Sequence, residues 1–167
     1  LVVQDKFMER ALSELERMDA HDAERVTVLE GDAAAMDLGL SGREFVQLAS
    51  EVDVIHPCAA ITYLGVDAKA AHELNVGGTR AIAEAAQAAG VERLVHLSSV
   101  MVYGFDFPDG VTEDGPFPTR ETNPYVVTKL RSEGAAMASH GAMGVTIIRP
   151  GDVYGRGSVP WVDRPLG

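Results

Sequence analysis

The stretch ERLVHLSSV, residues 92–100, is the strongest indication of the fold, because it is an apolar run of strand length that directly follows a helical pattern. That helical pattern is alanine-rich, covers residues 67–89 and is closed by Gly90. A second apolar run, VDVIHP at residues 52–57, precedes the helix. A strand, a helix and another strand in this order predict a parallel pair joined by a helical crossover.

The same alternation extends in both directions along the chain. LVV at residues 1–3 and RVTVLEGD at residues 25–32 are typical of strands, and each is followed by a helical pattern. A capping box of Ser41 and Glu44 opens the second of these helices. A helix beginning at Pro124 then leads to the strand VTIIRP, residues 145–150. Five apolar strands alternating with helices predict a doubly wound α/β fold with a mainly parallel sheet.

Composition indicates a folded protein and argues against binding to nucleic acid or to an anionic membrane. The chain has 167 residues, of which 46% are hydrophobic and 23% are charged, enough for one domain with a core. A net charge of −11 opposes binding to nucleic acid or to an anionic membrane, and no apolar run has membrane-spanning length. Cys58 is the single cysteine, which fits a reducing cytoplasm. We therefore expect a cytoplasmic protein with a small-molecule substrate, and we allow for a homodimer.

The helix at Pro124 carries the candidate chemistry, in the stretch NPYVVTKLRSE at residues 123–133. Asn123 can serve as the N-cap, so Tyr125 falls in the first turn and Lys129 lies four residues on, along the same helix face. An ammonium held beside a phenol favours its ionised form, which makes the tyrosine a usable proton donor or acceptor. An ordinary surface helix would show the same pair, so the pair alone leaves both interpretations open.

Six motifs, taken in chain order, resemble those of the extended short-chain dehydrogenase/reductase family, which includes nucleotide-sugar epimerases and dehydratases. They are EGD (30–32), HPCAA (56–60), NVGGT (75–79), LSSVMVYG (97–104), the Tyr125 and Lys129 pair, and RPGDVYG (149–155). The resemblance implies three catalytic residues. Ser99 would donate a hydrogen bond to a substrate oxygen, Tyr125 would exchange a proton with that oxygen, and Lys129 would support Tyr125 and bind the nicotinamide ribose.

The same resemblance implies NAD or NADP as the cofactor. The implied cofactor-binding residues follow the strands, apart from the lysine: Asp5, Asp32, Cys58, Ala59, Ala60, Lys129, Pro150, Gly151, Asp152 and Val153. If Asp5 faces the adenosine ribose, NAD is preferred, whereas Lys6 or Arg10 reaching over Gln4 would favour NADP. The register stays open, with a slight lean to NADP, because acyl-reductase relatives usually place a phosphate-binding arginine where Gln4 stands.

The chain departs from the family pattern at both ends. No Gly-x-Gly-x-x-Gly turn follows any strand, and the opening strand resembles the family's second strand. We therefore expect residues 1–155 to form an NAD(P)-binding Rossmann domain with a gap in mid-sheet, and residues 156–167 to begin a substrate-side segment. A strand, glycine-rich turn and helix of roughly thirty residues are expected upstream.

Two branches of the family share features with this chain. VQDKFMERA (3–11) and GDAAAMDLGLSGREF (31–45) resemble acyl-thioester and fatty-acyl reductases. VTEDGPF (111–117), NPYVVTKLRSE and RPGDVYGRGS (149–158) resemble epimerases and dehydratases. The favoured hypothesis is an NAD(P)-dependent oxidoreductase acting on a hydroxyl or carbonyl substrate such as a nucleotide sugar. Acyl-thioester reduction is the alternative, and a non-catalytic NAD(P)-binding regulatory protein is a third.

Several other side chains have two interpretations each. Asn75, inside a helix, could bond local backbone or substrate, with the backbone favoured. Tyr103, Tyr154 and Trp161 could contact substrate or pack. Ser98 points to the opposite face of its strand from Ser99 and is therefore not a catalytic candidate.

Overall fold

Parallel strands and helices alternate along the computed structural model, which describes residues 1–105 and 109–153. The strands are short and follow the predicted order: β1 (Val2–Val3), β2 (Leu29–Glu30), β3 (Val54–Ile55), β4 (Arg93–Leu97) and β5 (Gly144–Ile148). This arrangement confirms the doubly wound α/β class. Tyr154, Trp161 and the expected segment 156–167 lie outside the described residues.

The strands form two separate parallel sheets. β1 pairs with β2, while β3, β4 and β5 form a sheet with β4 at its centre. Within the described part of the chain, no strand pairs with both β1 and β3 to join the two sheets. This is the mid-sheet gap expected from the sequence, since the doubly wound order places a strand between those two.

Helices and single turns connect the strands. The α-helices are α1 (Met8–Glu16), α2 (Ala20–Ala23), α3 (Gly42–Glu51), α4 (Ala68–Ala71), α5 (Thr79–Ala88) and α6 (Pro124–Met137). The predicted capping box opens α3, where the Ser41 hydroxyl accepts from the Glu44 amide and the Glu44 carboxylate accepts from the Ser41 amide. No helix in the described ranges combines the length and apolar character needed to cross a membrane.

The helix predicted over residues 67–89 is interrupted by a π-helical turn, His72–Gly78, between α4 and α5. Asn75 lies in this turn and is 2% exposed. Its side chain accepts from the Ile61 amide at 2.8 Å and donates to the Ile61 carbonyl at 3.1 Å and to the Thr128 hydroxyl at 3.1 Å. Asn75 therefore bonds distant backbone, where we predicted local backbone, and it ties the segment after β3 to α6.

A left-handed turn follows β2. Asp37, Leu38 and Gly39 have φ values of 52°, 59° and 68°, a conformation that is costly for leucine. Burial of Leu38 against Ile82 and its neighbours on α5 offsets that cost, and the Leu38 carbonyl accepts from the Asp32 amide at 2.7 Å. The turn thereby fixes the backbone of Asp32, one of the predicted cofactor residues.

The core consists of two clusters of buried residues, and residues of both sheets pack in the larger one. The larger places Leu94 of β4 against small residues of α5 and α6, including Ala83, Ala86 and Ala136. The smaller comprises Val66, Ala71, Tyr125 and Val126. Close packing of alanines lets both helices approach β4, so the start of α6 is held near the carboxyl end of the sheet.

His96 is a buried titratable group in this packing. It is 2% exposed, its Nε2 lies 2.9 Å from the Ser132 hydroxyl, and its Nδ1 has no partner among the described residues. The Ser132 hydroxyl donates to the Lys129 carbonyl at 2.7 Å, so Nε2 is the atom that donates to Ser132. Burial, and then the charge of Lys129, lower the pKa of His96 to about 4.

We predict that this histidine makes the protein less stable in mild acid. The unfolded chain takes up the proton near the ordinary value of 6.5, whereas the folded chain does so only near 4, so stability is lost as the pH falls through this window. The loss between pH 7 and pH 4 amounts to about 3 kcal/mol. Urea unfolding at both pH values should show that His96→Asn removes this part of the pH dependence.

His140 is exposed and provides the matched control: the free energy of unfolding of His140→Asn should depend on pH as that of the parent protein does. An identical pH dependence of the unfolding free energy in the parent and in His96→Asn would contradict the assignment.

Candidate active site

Backbone hydrogen bonds between the chain after β4 and the end of β5 continue beyond the two strands, and they position Ser99. The Ser98 amide donates to the Ile148 carbonyl at 2.7 Å, and the Val100 amide donates to the Pro150 carbonyl at 3.0 Å. Ser99 lies between these two bonds and is 8% exposed. Its hydroxyl accepts from the Met101 amide at 3.2 Å, which leaves the hydroxyl proton available for a substrate oxygen.

The start of α6 places Tyr125. The Asn123 side chain accepts from the Tyr125 amide at 3.0 Å, as expected for the N-cap, and donates to the Leu64 carbonyl at 3.2 Å. The helix start is therefore attached to the segment that follows β3. Tyr125 is 8% exposed and packs beside Val66, and no hydrogen bond within the described residues reaches its hydroxyl.

Lys129 connects α6 to the end of β4. It is 4% exposed, and its Nζ donates to the carbonyl of Leu97, the last residue of β4, at 2.6 Å. Burial lowers the pKa of Lys129, and the nearby Glu133 and Cys58 partly oppose that effect. Because Ser99 follows Leu97 by two residues and Tyr125 precedes Lys129 by one turn, the three predicted catalytic residues are brought to one end of β4.

An open cleft of about 680 Å³ lies at the ends of β1 and β2. Its lining consists mainly of acidic and small residues: Gln4, Asp5, Lys6, Glu30, Gly31, Asp32, Gly39 and Glu44. Both carboxylates predicted to bind the adenosine half of a dinucleotide, Asp5 and Asp32, are among them. Carboxylate oxygens accept from a ribose diol and from an amino group, so the donor and acceptor chemistry of this cleft fits adenosine.

The remaining predicted cofactor residues follow β3 and β5. Cys58 and Ala59 are exposed and Ala60 is partly exposed after β3, while Gly151, Asp152 and Val153 are exposed after β5. Both segments leave the same edge of the three-stranded sheet as Ser99, because parallel strands share their carboxyl ends. A glycine-rich turn for a pyrophosphate does not occur among the described residues.

One carboxylate that the sequence motifs do not indicate, Glu133, lies near the predicted catalytic residues. Glu133 accepts from Arg149 in a two-pronged ion pair, with Nε at 2.9 Å and Nη2 at 2.8 Å, and also accepts from the Ser98 hydroxyl. The signal was present, since Glu133 lies four residues after Lys129 and so shares its helix face with Tyr125.

Arg149 extends this network to the loop after β4. Its Nη1 donates to the Tyr103 hydroxyl at 2.7 Å and to the Glu113 carbonyl at 2.6 Å. The guanidinium lies over the rings of Tyr103 and Phe117, which stack at 5.5 Å. Of the two interpretations of Tyr103, the structure supports packing.

Comparison with known proteins identifies relatives over nearly the whole chain. A family model described as male sterility protein matches residues 3–165. The 3-beta-hydroxysteroid dehydrogenase of Mycolicibacterium neoaurum is 31% identical over 144 residues, which are 80% of this chain and 37% of that protein.

Two solved structures share the fold. The terminal R domain from the myxalamid PKS-NRPS biosynthetic pathway matches with a TM-score of 0.78 and 27% identity, over 92% of this chain and 42% of that chain. The UDP-glucuronic acid 4-epimerase from Bacillus cereus, in complex with NAD, matches with a TM-score of 0.67 and 25% identity, over 90% and 45%. The chain thus spans less than half the length of each relative. Together with the family model, these matches show that the chain belongs to the extended short-chain dehydrogenase/reductase family.

Proposed function

We propose that this protein catalyses NAD-dependent oxidation or reduction at a hydroxyl or carbonyl carbon of a small molecule, with Tyr125 as the acid/base. One observation carries the proposal. The buried Lys129 joins the helix that bears Tyr125 to the end of β4, two residues before Ser99. A tyrosine and a serine hydroxyl at one strand end can contact the same substrate oxygen.

The proton chemistry follows from these side chains. When bound, the nicotinamide supplies hydride donation to, or acceptance from, the reacting carbon. In the reduction direction, Tyr125 gives its hydroxyl proton to the developing alkoxide and Ser99 donates a hydrogen bond to the same oxygen. The Lys129 ammonium stabilises the phenolate that remains. In the oxidation direction, the phenolate takes the proton from the substrate hydroxyl.

We favour a secondary alcohol or its ketone, on a steroid or a nucleotide sugar, as the substrate. The hydroxysteroid dehydrogenase and the UDP-glucuronic acid epimerase among the relatives support this class. Acyl-thioester reduction is the second candidate. The stretch at residues 31–45, which resembles acyl-thioester and fatty-acyl reductases and contains the left-handed turn at residues 37–39, favours it.

Replacement of Tyr125 tests the proposal. In the intact protein, Tyr125→Phe should leave the Kd for NADH nearly unchanged and lower turnover by about two or more orders of magnitude, because only the transferable proton is removed. NADH oxidation should be measured with a panel of keto-steroids, keto-sugars and acyl thioesters, which also identifies the substrate class. Lys129→Met should weaken NADH binding as well as turnover.

A matched control is Tyr63→Phe, which removes the hydroxyl of a tyrosine that is 58% exposed and should retain parent activity. Turnover by Tyr125→Phe within a few-fold of the parent would refute its role. A parent protein that binds NADH and consumes it with no member of the panel would favour the non-catalytic alternative.

The charge of the cleft at the ends of β1 and β2, which we call the adenosine cleft, affects the choice between NAD and NADP. Four carboxylates, Asp5, Glu30, Asp32 and Glu44, line it with a single ammonium, Lys6, while Arg10 is not among the lining residues. A 2′-phosphate in this cleft would meet net repulsion, whereas a ribose diol would find acceptors. The lean to NADP made from the sequence stays a prediction that no observation supports, and we propose NAD as the preferred cofactor.

Dissociation constants measured by fluorescence titration of NADH and NADPH test this choice. We expect NADH to bind tighter by about tenfold or more, equivalent to about 1.4 kcal/mol. Asp5→Ser should reduce that preference by removing one carboxylate from the cleft, whereas Asp22→Asn, on the remote α2, should preserve it. Equal binding of the two cofactors, or tighter binding of NADPH, would show that Lys6 and not Asp5 dominates.

A further inference from the structure

We propose that Glu133 is a positioning residue, a clamp that holds three segments in one arrangement: α6 with Tyr125 and Lys129, the end of β4 before Ser99, and the segment that follows β5. The inference rests on the proposed function, because it assigns Ser99, Tyr125 and Lys129 to the chemistry. Glu133 itself contacts none of the reacting atoms and acts through Ser98 and Arg149.

The contacts of Glu133 join three elements. On α6, it follows Lys129 by one turn, so it belongs to the helix that bears Tyr125. Its Oε1 accepts from Ser98, the residue before Ser99 at the end of β4, and from the Nε of Arg149. Its Oε2 accepts from the Nη2 of Arg149, the residue after the last residue of β5.

The ion pair is shielded from water. The side chains of Arg149 and Glu133 are 16% and 8% exposed, respectively, so this pair differs from the surface pairs of the chain, such as Lys69 and Glu73, which are 83% and 66% exposed. Two parallel N–H bonds fix the relative orientation of the guanidinium and the carboxylate. Loss of one partner would leave the other charged and buried, which is strongly unfavourable.

Arg149 connects a fourth segment to Glu133. Through its bonds to Tyr103 and to the Glu113 carbonyl, it attaches the loop after β4 to the same carboxylate. The segment that begins at Pro150, on which several predicted cofactor-binding residues lie, therefore cannot shift relative to Ser99 without breaking the network. A displacement of about 1 Å at a reacting group can cost a hundredfold in rate.

Glu133 also contributes an electrostatic effect that packing alone would not. Its negative charge raises the pKa of Lys129 against the larger effect of burial. The other titratable groups near Lys129 are Tyr125 on its own helix, His96 on β4 and Cys58 after β3. Without the Glu133 charge, Lys129 would lose its proton at a lower pH.

The test compares Glu133→Gln and Glu133→Asp with the parent in the intact protein. Both variants disturb the geometry, so turnover with the substrate found in the panel should fall by roughly tenfold to a hundredfold, with the Kd for NADH changed less than about threefold. Only Glu133→Gln removes the charge, so the alkaline limb of its pH–rate profile should move to lower pH. Glu133→Asp should keep the alkaline limb of the parent.

Hydrogen exchange provides a readout that needs no substrate. In both variants the amides of Ser98 and Val100, which donate to the carbonyls of Ile148 and Pro150, should exchange faster than in the parent, by about tenfold or more. Glu73→Gln, at the exposed pair on the π-helical turn, should change neither exchange nor turnover. If Glu133→Gln fails to fold, Ser98→Ala removes one bond of the clamp and should accelerate exchange at Val100.

The outcomes separate the clamp from the proposed function. Parent-like exchange at Ser98 and Val100 together with an unshifted alkaline limb would overturn the clamp, even if Tyr125→Phe abolishes turnover. Parent-like turnover in Tyr125→Phe would instead refute the proposed function and leave the exchange result standing. A loss of turnover in proportion to the unfolded fraction, with no local change in exchange, would mean that Glu133 serves stability alone and would also overturn the clamp.

Discussion

The candidate active site depends on Lys129, a buried lysine of α6 whose ammonium bonds the end of β4. Lys129 is 4% exposed, so its buried ammonium must be stabilised by the protein: the Leu97 carbonyl accepts a hydrogen bond from it at 2.6 Å, and the charge of Glu133 acts on it electrostatically. These two groups are available only when α6 lies against β4 in one register. Tyr125 lies one helical turn before Lys129, and Ser99 lies two residues after Leu97. The burial of Lys129 therefore fixes the positions of both residues.

The parallel sheets explain why the remaining functional groups gather at one edge. β4 lies between β3 and β5, so all three strands end on the same side, and Cys58 and Gly151 leave the sheet beside Ser99. The acidic cleft lies at the corresponding ends of β1 and β2, across the gap between the two sheets. In doubly wound folds, ligands bind outside the carboxyl ends of the strands, where the strand order reverses. A dinucleotide that spans the gap would place its adenosine at the cleft and its nicotinamide at Tyr125.

Features with local signals could be predicted from the sequence, and features that depend on distant partners could not. The capping box of α3, the Asn123 cap and the strand order follow from spacing within a few residues. The π-helical turn does not, because Asn75 bonds groups 14 and 53 residues away. The same holds for Glu133, whose partner Arg149 is 16 residues distant and on another element. The sequence therefore predicted candidate catalytic residues but not the contacts that hold them.

A crystal structure of the intact protein with bound NAD would show whether the nicotinamide lies at Ser99, Tyr125 and Lys129. We predict that the hydroxyls of Tyr125 and Ser99 both lie within hydrogen-bond reach of one point above the reacting carbon of the nicotinamide, with the Lys129 ammonium against the adjoining ribose and the adenosine between Asp5 and Asp32. A nicotinamide bound away from the end of β4, or a Tyr125 hydroxyl directed away from the ring, would contradict the account.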